Sequence, residues 1–169
     1  MIDVNSLSDD ENKILAAARA GELAAFDGDN KPKVRAEFLT ALVCGEIENK
    51  SIHPKGLQVG GIEIEGEFDL EERENVPSLL FWDCYFPDGL LLRGANLKHL
   101  DLAGCRIEKG IFADRLKVAG SVFLRNGFEA KGEVRLPGAE IGGSLDCHGA
   151  KFENDKGIAL NADGLKVAG

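Results

Sequence analysis

Leu92, Leu97, Leu102, Ile107 and Phe112 are large apolar residues spaced five apart, and two before each stands a second inward candidate: Leu90, Ala95, Leu100, Cys105 and Gly110. Helical faces recur about every 3.6 residues and strand faces about every 2. A sustained five fits neither. It describes a chain that turns a corner at each repeat and winds around a narrow core, the signature of a solenoid.

The pattern extends in both directions as inward pairs two residues apart. Leu57/Val59, Ile62/Ile64, Phe68/Leu70, Leu79/Phe81 and Cys84/Phe86 precede the ladder. Leu116/Val118, Val122/Leu124, Phe128/Ala130, Val134/Leu136, Ala139/Ile141, Leu145/Cys147, Ala150/Phe152, Ile158/Leu160 and Leu165/Val167 follow it. Gly94, Gly104, Gly138 and Gly149 each precede a pair, where a corner needs a positive φ that glycine adopts without steric cost. The polar segment from Glu71 to Ser78 is expected to loop out.

A longer repeat overlies the short one: Ala113-Asp-Arg-Leu-Lys-Val-Ala-Gly120 returns as Ala162-Asp-Gly-Leu-Lys-Val-Ala-Gly169, forty-nine residues later. From Val118 to Val167 the inward pairs advance eight steps, which is two turns of a four-sided coil. The second copy stops at Gly169, where the first runs on into Ser121–Leu124. The C-terminal coil is therefore expected to be open, the chain being a fragment or stacking its end near Gly169 on another copy.

Residues 1–50 read differently. Ser8 and Glu11 form a capping box ahead of Ile14, Ala17 and Ala18, and Gly21 suits a helix stop, predicting a helix over 9–20. A second is expected from Asn30-Lys31-Pro32 to about Gly45, with Val34, Phe38, Ala41 and Leu42 on one side. Ser51–Gly56 reads as a linker. The expected fold is mainly β: a right-handed, four-sided parallel β-helix over 51–169 with a small helical cap over 1–50.

The net charge of −9 repels nucleic acid and anionic lipid, so direct nucleic-acid binding is not expected. No stretch is long and apolar enough for a membrane span, and Met1–Asn5 has no leader character. Cys44, Cys84, Cys105 and Cys147 lack metal-ligand or disulfide spacing and read as core thiols of a cytoplasmic protein.

Ala95-Asn96-Leu97 and Ala150-Lys151-Phe152 match the unit of the pentapeptide-repeat proteins, a small residue two before a central leucine or phenylalanine. The resemblance covers about 57–169 and is tightest from Leu90 to Phe112. It implies the four-sided right-handed β-helix. Val34–Leu39, His53-Pro54-Lys55-Gly56 and the Gly-Ser-Val-Phe-Leu and Ile-Gly-Gly blocks resemble a divergent bacterial branch whose members carry a membrane-associated oxidoreductase label. No dinucleotide-binding glycine motif, redox cysteine pair or membrane segment accompanies it here.

No catalytic, cofactor-binding or metal-binding set emerges. His53, His99 and His148 are isolated, Cys147 and His148 point to opposite faces, and Asp101 and Asp146 are two acids among twenty-nine. The candidate partner-binding residues are Leu80, Trp82 and Tyr85, outward by alternation and including the only tryptophan and tyrosine. They are expected either to anchor a partner or to lie beneath the N-terminal helices or the Glu71–Ser78 loop. The expected role is a non-catalytic scaffold docking an unidentified protein. The alternatives are a DNA-mimicking inhibitor of a topoisomerase or other nucleic-acid enzyme and a β-helical enzyme acting on carbohydrate or in redox chemistry.

Overall fold

The computed structural model describes residues 1–169 and holds a parallel β-solenoid of five coils built from four stacked sheets, with two α-helices at its N-terminal end. In successive coils the first face is made by Leu57–Gly60, Leu79–Trp82, Leu100–Asp101, Val122–Phe123 and Leu145–Asp146. The second is made by Glu63–Glu65, Tyr85–Phe86, Arg106–Ile107, Glu129–Lys131 and Lys151–Glu153, and the third by Phe68–Asp69, Leu90–Leu91, Ile111–Phe112, Val134–Arg135 and Leu160–Asn161. Asn96–Leu97, Lys117–Val118, Glu140–Ile141 and Lys166–Val167 make the fourth. Val118 pairs with Ile141 and Ile141 with Val167, so the forty-nine-residue repeat spans two coils.

Helix α1 (Asp9–Ala20) has the boundaries its caps dictate. Ser8 accepts from the Glu11 N–H, Glu11 reaches back to the Ser8 N–H, and Gly21 closes the helix at φ +73°. The second helix is shorter than expected. Lys33–Arg35 is a strand whose Val34 pairs with Ile64, and α2 begins only at Ala36 and ends at Val43. Val34 is fully buried as a rung of the second face, and that burial outweighs the helical spacing of its neighbours. A further short strand, Ala24–Ala25, pairs with Val59–Gly60 on the first face.

Three other expectations need correction. Gly110/Phe112 is not an inward pair: Ile111 and Ala113 are buried, while Phe112 lies outside with the Arg93 guanidinium 5.2 Å from its ring. The corner between second and third faces carries one more residue than the ladder allows, and Gly110 turns it at φ +90°. Ile158/Leu160 is likewise out of register, because Leu160 pairs with the inward Val134 and Ile158 is 59% exposed. Glu71–Ser78 does not loop clear of the coil, since Val76 is buried and bridges Leu97, supplying the fourth side of the first coil.

The core is one continuous column from Ile14 to Ile141 shared by helices and coils. Its widest part is a triad in which Phe81 meets Phe68 and Phe86 edge-on at centroid distances of 5.7 and 5.3 Å. Cys84 and Cys105 are buried in it, and Cys44 and Cys147 are half-buried. No helix is long and apolar enough to cross a membrane.

Candidate functional site

Leu80 and Trp82 project from one strand, so they share the first face, whereas Tyr85 lies beyond the left-handed corner at Asp83 (φ +51°) on the second. All three are half-buried. Tyr85 sits in register with Glu63 and Arg106, and the Arg106 guanidinium lies 5.8 Å from its ring. The three residues therefore form two separate patches.

Trp82 has room because its row is otherwise small. Gly60 pairs with it in the coil before, and the chain passes at Ala103 in the coil after, where the Asp83 N–H donates to the Ala103 carbonyl at 3.1 Å. The N-terminal segment walls it on the free side. Phe26 donates its N–H to the Gly60 carbonyl at 3.0 Å, and Gly61 permits the approach, since a Cβ there would lie 2.1 Å from the Phe26 oxygen. Between them runs a groove of about 520 Å³ whose apolar wall is Leu23, Phe26 and Trp82. Asp27, Asp29 and Asp83 rim it, while the Lys31 ammonium donates to the Asp83 carbonyl. The Lys13 ammonium sits 4.1 Å from the Phe26 ring centroid, outside the residues that line the groove.

Farther along the first face, Leu80 is followed in its row by Asp101, Phe123 and Asp146. Asp101 points outward yet is only 5% exposed. Its carboxylate accepts the Ala103 N–H at 2.9 Å and lies 4.0 Å from Arg125, which stacks 3.9 Å from the Phe123 ring and reaches Asp146 at 3.3 Å. The two acids thus share one face, bridged by a guanidinium rather than separated by an open space for substrate. His99 packs edge-on to Phe123 at 5.0 Å and accepts the Ser121 N–H at 3.3 Å. Burial lowers its pKa against the pull of Asp101.

Charges on the remaining faces interleave. The outer row of the second face reads Lys33, Glu63, Tyr85, Arg106, Glu129, Lys151. On the third, Arg135 grips Asp114 through two bonds of 2.7 and 3.1 Å, and this guanidinium holds the Asp114 carboxyl below its ordinary range. No three His, Cys, Asp or Glu side chains are placed to share a metal ion.

No family model, curated protein or solved structure matches the chain.

The wall formed by Leu23 and Phe26 is the part of the groove that sequence periodicity misses. A short apolar run between a helix stop at Gly21 and the turn-forming Asp27–Asn30 is the only signal that a strand precedes α2.

Proposed function

We propose that this chain is a non-catalytic, pentapeptide-repeat-like docking module of the cytoplasm, whose rigid coils hold the Trp82 groove open for a basic protein partner. The observation that carries this reading is the pairing of apolar wall and acidic rim. Leu23 is 49% exposed beside Phe26 and Trp82, and the three aspartates around them fit an apolar side chain flanked by lysine or arginine. Four free cysteines suit a reducing compartment. The interleaved charge rows favour docking over imitation of a nucleic-acid duplex, which calls for negative potential along the whole rod. The ion-paired Asp101–Arg125–Asp146 row gives no support to a carbohydrate-cleaving pair.

The test begins by retaining proteins from the parent cell on the immobilised chain and reconstituting each with purified components. A true partner is expected to lose about 10-fold or more in affinity against Trp82→Ala, and to weaken in step with salt and with Asp27→Asn/Asp29→Asn. A partner indifferent to all three changes overturns the groove as the docking surface.

The outer edge of the fifth coil carries a second, independent reading. Ile158, Leu160 and Val167 are exposed there at 59%, 42% and 40%, and a second copy of the chain is the occupant we propose for that edge.

A further inference from the structure

Cys84 and Cys105 hold the same position in successive coils. Each stands immediately before a second-face strand, and those strands pair residue for residue, Tyr85 with Arg106 and Phe86 with Ile107. The Arg106 N–H donates to the Cys84 carbonyl at 3.0 Å, which ties the two cysteine backbones together at one coil's rise. Parallel strands stack at about 4.8 Å. Disulfide-bonded cysteines have Cα atoms roughly 4.4–6.8 Å apart, so the rise lies within reach. Both side chains face the core, at 1% and 0% exposure, from matching positions of adjacent rungs. Each also has a carbonyl acceptor at 3.4 Å, Trp82 for Cys84 and Phe81 for Cys105. Burial pushes the Cys105 thiol well above its ordinary range, so that thiol is protonated at neutral pH.

The column around the pair is apolar, with buried Ile62 and Phe128 at the matching places in the coils on either side. That leaves the two sulphurs with each other as the only soft, reactive neighbours. The surface nearest to them along the chain is the corner just before each, where Asp83 and Gly104 are both left-handed, Asp83 is exposed and Gly104 is half-buried.

We propose that Cys84 and Cys105 form a modification site, a cross-coil dithiol that hydrogen peroxide converts to an intrachain disulfide joining the second coil to the third. One sulphur attacks a peroxide oxygen as the O–O bond breaks, giving a sulfenic acid and a hydroxide that leaves as water with the thiol's proton. The second sulphur then attacks the sulfenic sulphur and expels its hydroxyl, which departs as water with the second proton. Two thiols give up two electrons and two hydrogens, and one peroxide becomes two waters. The product ties residues twenty-one apart in sequence and constrains the unfolded chain.

The experiment treats the folded Cys44→Ser/Cys147→Ser chain with hydrogen peroxide and reads intact mass, thiol content after denaturation, and peptides mapped without reductant. The expected result is a loss of about 2 Da, no remaining thiol, one linked peptide containing both cysteines, and a higher melting temperature that a reductant reverses. Peptide mapping of the unsubstituted chain should give the same linkage, so the result does not hang on the double variant folding well. Two free thiols after treatment, or oxygen added to either sulphur without a cross-link, would overturn the proposal.

Discussion

At the scale of single residues, the strongest polar contact joins the helical end to the coils. Glu11 is 2% exposed and accepts four hydrogen bonds: from the Ser8 N–H at 3.1 Å, the Arg35 N–H at 3.3 Å, and Arg35 Nε and Nη2 at 2.8 and 2.7 Å. One carboxylate therefore caps α1 and fixes the strand that leads into α2. Burial alone would raise its pKa, but the Arg35 and Ser8 donors outweigh that and hold it below the ordinary 4.5. A carboxyl depressed by folding contributes its full stabilisation above the unfolded pKa and loses it as pH falls through the folded value. Glu11→Gln is expected to lower stability by about 2 kcal/mol near neutral pH, at the low end for a broken pair because Arg35 still reaches water. Denaturant melts at descending pH should show the gap between parent and variant closing through the carboxyl range. A gap that stays constant would mean that shape rather than charge is responsible.

At the scale of elements, the corners decide the register. Three of the four corners turn on left-handed residues, among them Gly94 and Gly104, as their placement before inward pairs implies. The fourth-to-first corner works by close stacking instead. There the N–H of Gly120 donates to Lys98, that of Gly143 to Gly120 and that of Gly169 to Gly143, at 2.7, 2.8 and 2.9 Å. A Cβ on Gly142 would lie 2.4 Å from the Ala119 carbonyl oxygen, a backbone atom with little freedom to move. Gly142→Ala should cost about 1–3 kcal/mol by overpacking, whereas Gly28→Ala, whose Cβ would find nothing nearer than 3.8 Å, should stay within about 0.5 kcal/mol. Equal melting temperatures for the two would show that the corner tolerates separation.

The same corners explain what the sequence reveals and what it hides. Ser8, Glu11 and Gly21 announce α1 because caps are local hydrogen-bond devices. The inward pairs from Leu57 to Phe86 are legible because alternation across short strands needs only neighbouring residues. Phe112 misleads because a five-residue count passes through a corner holding one residue more, and its ring is stable outside against Arg93. Val34 misleads because its partner Ile64 is thirty residues away and no local pattern carries that pairing. Half of the Trp82 groove is hidden for the same reason, since Phe26 meets the first face only through tertiary pairing.

At the scale of the whole molecule, each coil of a solenoid is stabilised by its neighbours, so the two ends are not equivalent. Ala24–Ala25 and Lys33–Arg35 cover the starting edges of the first and second faces, and α2 packs on Phe68–Asp69 of the third. The four strands of the fifth coil pair on one side only, and its inward Leu145, Cys147, Phe152 and Leu165 are merely half-buried. Whatever covers this edge must supply both backbone partners and apolar surface. The second copy proposed for this edge would do so through a two-fold contact, because identical edges brought face to face run antiparallel and can pair. Charge permits the approach: residues 145–169 hold four acids (Asp146, Glu153, Asp155, Asp163) against three lysines (Lys151, Lys156, Lys166), a net of −1 within a chain of −9. Light scattering of the 169-residue chain is expected to give a dimer whose fraction rises with concentration. Leu160→Lys/Val167→Lys, which places like charges across the two-fold, should return it to monomer without unfolding the earlier coils. A chain that stays monomeric at every concentration, or a dimer indifferent to both lysines, would rule out this edge as the self-association surface.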